Sequence, residues 1–312
     1  MCAHPPRTLG LVLLCTLALV TECCKTRDGG SKVLRDRSYT VDVPARSVGK
    51  ETAAPVLVLI HGLAGDAGGQ ESAFHLRRVA FAHGALFVLI DGVRNKDGYR
   101  FWNAGAACCD LYGQGPDDLG YLDAVLDDLA ARHRVDGKRI FLVGNSNGGF
   151  LAHRYACERA RRVAGIVSVA GAGPAEPCSP SEPVAVLQIH GDADDVIFLE
   201  GGNLGDPRAL QTLRNLGLEL PAGITLASYP PLRRTLGEWA ARDGCAATPD
   251  LSVPPIDLDT AIPGPETAVA RWTGCAGGAV ELWTIHGGGH QPSFAAGWGE
   301  KIWAFLAAHA KP

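Results

Sequence analysis

The segment Gly144-Asn145-Ser146-Asn147-Gly148 constrains this chain most, because of what stands on either side of it. The apolar run Ile140-Phe141-Leu142-Val143 leads into it, and Phe150-Leu151-Ala152-His153-Arg154-Tyr155-Ala156 continues from it in a helical pattern. That order predicts a buried strand, a sharp turn and a helix. In such a turn the serine sits at the tip in a strained backbone conformation. Gly144 and Gly148 are needed because a Cβ at either place would collide with the neighbouring strand or helix. Ser146 is therefore the candidate nucleophile. The competing explanation is a plain Gly/Ser loop, and only partners for the serine separate the two.

The rest of the chain supplies a frame for such a turn. Residues 56–60, 85–90, 163–170, 184–189 and 280–285 are apolar runs of the kind found in parallel strands covered on both faces. Residues 37–43 alternate as an edge strand. Helical spacing is expected over 71–83, 117–133, 231–242 and 298–310. Strands alternating with helices predict an α/β fold with a mostly parallel, doubly wound sheet and helices on both faces. Residues 203–228 and 249–268 are irregular and read as insertions over the sheet.

A serine hydroxyl needs a base to take its proton and a third group to orient that base. Two loops at strand ends offer them in the order expected after a serine of this kind. His190-Gly191-Asp192-Ala193-Asp194-Asp195 follows one strand, and His286-Gly287-Gly288-Gly289-His290 follows another. His290 is favoured over His286, since it lies beyond three glycines on a loop able to reach Ser146. The acid is open among Asp192, Asp194 and Asp195. His61 and His190, each before a glycine at a strand end, are expected to anchor their loops. The oxyanion donors are expected to be the backbone N–H groups of Asn147 and of Leu63, which follows the strand at 56–60.

The N-terminus changes how the cysteines are read. Arg7 precedes an apolar core of about a dozen residues, the length of a signal-peptide core and short of the roughly 20 that span a bilayer. Residues 1–24 are read as a leader, 25–37 as a linker and 38–312 as the catalytic domain. Cys23 and Cys24 close behind the core raise lipid attachment as a second mode of export. Cys108, Cys109, Cys157, Cys178, Cys245 and Cys275 remain in the body, an even number in an oxidising compartment. Cys245 is expected to pair with Cys275, and the other four pairings stay open. A net charge of −4 with 20% charged residues gives no basic excess for nucleic acid. No metal or organic cofactor, no transmembrane helix and a monomer are expected.

Taken together, these motifs resemble the exported polyhydroxybutyrate depolymerase and feruloyl esterase relatives of the α/β-hydrolase superfamily. The resemblance runs from about residue 38 to the C-terminus. It is carried by His61-Gly62, Trp102-Asn103-Ala104-Gly105 with Cys108-Cys109, and Asp117-Asp118-Leu119-Gly120-Tyr121. Gly144 to Gly149, His190-Gly191-Asp192-Ala193-Asp194, Trp239 to Cys245 and Gly287-Gly288-Gly289-His290 complete it. It implies Asp194 as the acid, supports His290, and implies that Trp102 lies near the substrate. Gln291-Pro292-Ser293-Phe294 and Asp195-Val196-Ile197-Phe198 depart from the family's usual residues. The function expected is a secreted serine esterase acting on a carboxylic ester through an acyl-enzyme. Candidate substrates are a hydroxyalkanoate polymer or oligomer, a feruloylated or acetylated polysaccharide, or a small ester. A peptidase or acyltransferase on the same fold, or an inactive envelope binding protein, are the alternatives.

Overall fold

The computed structural model describes residues 32–47, 52–221, 223 and 226–312. The expected leader at 1–24, with Cys23 and Cys24, and residues 25–31 lie outside the described residues. The chain runs α1 (Lys32–Asp36), β1 (Tyr39–Asp42), β2 (Ala54–Ile60), α2 (Ala67–Phe74), α3 (Leu76–Ala82) and β3 (Leu86–Ile90). A small ribbon follows, β4 (Val93–Arg94) and β5 (Arg100–Phe101), then α4 (Asp118–Arg132), β6 (Val135–Asn145), α5 (Asn147–Glu158), β7 (Gly165–Val169) and β8 (Ala185–Gly191). The last elements are α6 (Pro207–Asn215), α7 (Leu232–Arg242), β9 (Thr267–Trp272), β10 (Ala279–Ile285) and α8 (Trp298–Ala307).

Eight strands form one sheet in the order β1-β3-β2-β6-β7-β8-β10-β9. Pairing is parallel from β3 to β10, and the two edge strands β1 and β9 run antiparallel to their neighbours. The apolar runs are buried on both faces because successive side chains enter opposite cores. Val56, Val58 and Ile60 join Leu122, Leu151 and Trp239 of α4, α5 and α7 on one side. Leu57 and Leu59 join Leu76, Val79, Trp298 and Ile302 of α3 and α8 on the other. The sheet matches the α/β expectation.

Three local readings are corrected. Residues 32–37 are not free linker: Leu34 is buried, and Arg37 pairs with buried Asp118 at 2.6 Å while lying over the Tyr121 ring. The helix expected over 71–83 is two helices, broken at His75, whose φ of 54° is left-handed. The second insertion contains part of the sheet, since Thr267 and Ala268 pair with Ile285 and Thr284. Among the described residues no helix is long and apolar enough to cross a membrane.

Cys245 pairs with Cys275 as expected, and the open pairings are Cys157–Cys178 and the adjacent Cys108–Cys109. The Cys245–Cys275 link closes a loop with a sequence separation of 30. Chain entropy then makes it worth about 3–4 kcal/mol. Replacing both cysteines by serine should lower the free energy of urea unfolding by about that amount, and an unchanged midpoint would refute it.

One polar chain crosses the core between α5 and β8. His153 is fully buried, and its Nε2 lies 3.0 Å from Gln188 Oε1. An amide oxygen only accepts, so His153 Nε2 carries a proton. Burial keeps the ring neutral, pushing its pKa down to about 4. The unfolded chain binds a proton here below about pH 6.5 while the native one does not until about pH 4, so stability falls as pH drops through that window. The loss from this group should approach about 3 kcal/mol. The non-titrating variant His153→Gln should show a flatter stability profile between pH 6.5 and 4, measured by urea unfolding at each pH.

Candidate active site

The turn after β6 is strained at the residue the sequence singles out. Ser146 has φ 49° and ψ −117°, and α5 begins at the next residue. A Cβ on Gly144 would overlap the carbonyl of Gly148, and one on Gly148 would overlap the carbonyls of Ile60 and His61. The strand, the helix and the end of β2 thus close around the turn. Packing that tight holds a non-glycine residue in a left-handed conformation.

Two further loops reach this point. His290 Nε2 lies 3.0 Å from Ser146 Oγ, and His290 Nδ1 lies 2.8 Å from Asp194 Oδ2. The geometry brings Ser146, His290 and Asp194 into one hydrogen-bonded line. A Cβ on Gly191 would overlap the Gly288 carbonyl, and Ala193 N–H donates to that same carbonyl at 3.0 Å. The acid loop and the histidine loop are therefore laid backbone against backbone.

The two acids and the histidine outside this line also have partners. Asp192 accepts from His286 Nδ1 at 2.8 Å and from Gly287 N–H at 2.7 Å. His286 is 61% exposed, so this pair clamps the two loops at the surface. Asp195 accepts from the Thr212 hydroxyl of α6 at 2.7 Å and ties down the first insertion.

Asp194 is the buried member, 4% exposed. Burial by itself would raise its pKa. The hydrogen bonds from His190 and His290 outweigh that and hold the carboxyl well below the usual range. Its other oxygen accepts from the N–H groups of Val196 and Ile197, each at 2.9 Å. His190 was expected only to anchor its loop, and it does more. Its Nε2 lies 2.6 Å from the Ile197 carbonyl and 3.2 Å from Asp194 Oδ2, so the proton sits on Nε2. Its Nδ1 then accepts from Gln188 Nε2 at 3.2 Å, and Gln188 Oε1 accepts from His153. The polar chain of the core thus ends on the acid. The sequence signal for it is Gln188 and His190 at alternate positions of an otherwise apolar strand, both facing inward.

The oxyanion candidates occupy facing backbones. Asn147 is the first residue of α5, where an N–H has no intrahelical acceptor. On the β2 loop the N–H groups of Ala64 and Gly65 go to the carbonyls of Arg100 and Gly62, while Leu63 N–H takes no backbone acceptor among the described residues. His61 accepts from Gly92 N–H through Nε2 at 2.9 Å, which leaves Nδ1 to donate to the Gly62 carbonyl at 2.7 Å. Burial lowers its pKa, so it stays neutral in this role.

Trp102, expected near the substrate, lies beneath the site rather than on the cleft surface. It is fully buried and does not line the cleft over Ser146. Its indole N–H donates to the His61 carbonyl at 2.8 Å, and its backbone exchanges bonds of 2.7 and 3.0 Å with the Asn147 side chain. It joins the Leu63 loop to the Asn147 helix from beneath. Asn147 Nδ2 also approaches Cys108 Sγ at 3.6 Å, so the Cys108–Cys109 pair belongs to the same floor.

The cleft over Ser146 is lined by Cys108 and Cys109 and by Leu204, Leu213, Leu216 and Leu218 of the first insertion, four leucines that sequence patterning did not single out as site residues. Among the described residues no group of three or more His, Cys, Asp or Glu side chains could hold a metal ion.

Comparison with known proteins agrees with this architecture. Feruloyl esterase B of Piromyces equi is 26% identical over 282 residues, covering 88% of this chain and 46% of that protein. The putative esterase NocK of Nocardia uniformis subsp. tsuyamanensis is 31% identical over 169 residues, covering 54% of this chain and 48% of that protein. The chain thus spans about half the length of these curated relatives. An acetyl xylan esterase from Aspergillus awamori superposes with a TM-score of 0.58 at 12% identity, over 91% of this chain and 98% of that one, a likeness of fold. The model of the alpha/beta hydrolase family matches residues 57–302, and the chain belongs to that family.

Proposed function

We propose that this protein is a serine esterase that hydrolyses carboxylic esters through an acyl-enzyme. The observation that carries the reading is the unbroken line Ser146 Oγ–His290–Asp194, at 3.0 and 2.8 Å, at the tip of a strained turn. In this mechanism His290 Nε2 takes the serine proton as Oγ attacks the ester carbonyl. Asp194, held ionised, keeps the other ring nitrogen protonated and stabilises the imidazolium. The N–H groups of Leu63 and Asn147 receive the developing oxyanion, and His290 returns its proton to the leaving alcohol. Water activated by the same histidine then releases the acid.

The feruloyl and acetyl xylan esterases among the similar proteins support ester hydrolysis over peptide hydrolysis. Export is part of the proposal. The expected leader and three cysteine pairs in the body suit an oxidising compartment. The catalytic unit is proposed to extend to the C-terminus as one domain, since α8 packs against α3 and the central strands.

Ser146→Ala should lower kcat for p-nitrophenyl butyrate by about 10⁴-fold or more with the fold intact by circular dichroism. Asp194→Asn should cost on the order of 10⁴-fold, while Asp192→Asn and Asp195→Asn should stay within about tenfold. Retained turnover in Ser146→Ala would sink the assignment. Trp102→Phe removes the indole bond to His61 and should lower kcat on the order of tenfold with little change in KM. A rise confined to KM would instead put Trp102 against the substrate.

A further inference from the structure

We infer that the first insertion builds a slot for a short, unbranched saturated alkyl chain of the ester, and so selects aliphatic over aromatic substrates. The inference rests on the serine esterase reading and names the substrate class of that same site. Besides Leu63, six aliphatic residues line the cleft over Ser146: Val196, Ile197, Leu204, Leu213, Leu216 and Leu218. The polar side chains lining it, Asn145, His290 and Gln291, stand with Ser146 at the reacting end, and no charged carboxylate or cation faces the cleft.

The wall is built rather than draped. Gly202 and Tyr229 exchange backbone bonds of 3.1 and 2.8 Å across the base of the insertion. Asn203 donates to the Leu226 carbonyl, and Asp195 holds Thr212 at 2.7 Å. Helix α6 carries an Asp206 cap and Pro207 at its start, both local stop-and-start signals that fix where it begins. Leu213 and Leu204 are buried, and Leu216, 47% exposed, stands at the rim. Val196 and Ile197 contribute twice, since their N–H groups hold Asp194 while their side chains face the slot. The wall is therefore registered to the triad and not only near it.

Size and polarity both favour a slim alkyl group. The whole cleft over Ser146, slot included, measures about 60 Å³, well below the 150 Å³ apolar cavity that accommodates a benzene ring. A phenolic hydroxyl carried to the far end would meet only leucine, isoleucine and valine, and a buried hydroxyl without a partner is disfavoured. Each methylene added to a chain lying there should instead raise kcat/KM about three- to fourfold until the slot is full.

The alkyl chain could belong to the acid or to the alcohol, and two substrate series separate these. One is p-nitrophenyl acetate, propionate, butyrate, hexanoate and octanoate. The other is methyl, propyl, butyl and hexyl acetate, followed by proton release. The expected result is a rise of about three- to fourfold per methylene in one series, levelling at its longer members. Leu216→Asp at the rim and Leu218→Ser within the slot should each cut the ratio of kcat/KM for the best long chain to that for the shortest by about fivefold or more. Flat or falling profiles in both series, or ratios unchanged in both variants, would overturn the inference. The esterase reading fails differently, by absence of turnover of every ester or by turnover that survives Ser146→Ala.

Discussion

A carboxylate removed from water needs several donors, and Asp194 is the place where that need organises the structure. Its side chain is buried, and four groups face its two oxygens: His290, His190 and the N–H groups of Val196 and Ile197. Without them, desolvation would favour the neutral acid, which could not stabilise an imidazolium. Satisfying the carboxylate requires that the chain turn tightly after β8, which brings Val196 and Ile197 under the insertion. It also requires that the loop after β10 lie on the loop after β8, which Gly191 and Gly288 permit by having no Cβ between them. The position of the base, the ionisation of the acid and the start of the cleft wall follow from one electrostatic demand.

The other half of the site depends on sterics. Ser146 stays in a left-handed conformation because β2, β6 and α5 leave its neighbours no other course. Trp102 extends that closure to both oxyanion candidates through the His61 carbonyl and the Asn147 side chain. A donor pair preorganised in this way costs no rearrangement when charge appears on the substrate oxygen. Burial of the indole is thus consistent with a catalytic effect exerted through the backbone.

These two halves were not equally legible in the sequence. The turn around Ser146 depends on residues adjacent in the chain, so Gly144, Gly148 and the flanking apolar patterns sufficed to describe it. The order of acid and histidine likewise follows from loops at strand ends. The burial of Trp102 beneath the cleft was not legible because a motif reports which residue is present and not which way its side chain turns. The role of His190 depends on Gln188 and His153, which lie on β8 and α5 and meet only in the fold. β9 was missed, with Thr267 and Ala268 counted in the supposed insertion, because it is a short edge strand bounded by Gly264 and Gly274 and carrying exposed Arg271. The break at His75 needed a left-handed residue that local propensity disfavours, and there Glu71 accepts from the N–H groups of Leu76 and Arg77, a local side-chain compensation that hydrophobic spacing does not reveal.

In the proposed reading, the least regular part of the chain has the most to do with substrate choice. Residues 203–218 were set aside as insertion because glycine and proline interrupt their periodicity, yet their leucines face Ser146 across the cleft. Triad chemistry demands a fixed distance between three side chains, and the sheet supplies it from rigid strand ends. Selecting one ester over another demands only a wall of suitable shape, and a segment pinned at Gly202–Tyr229 and at Asp195–Thr212 supplies that without disturbing the sheet. Because Asp195 sits beside Asp194 and holds α6, a change in the wall's anchor would be felt one residue from the acid. On the proposed function, substrate choice and catalytic geometry are thus separable in the leucines that line the cleft, and coupled at Asp195.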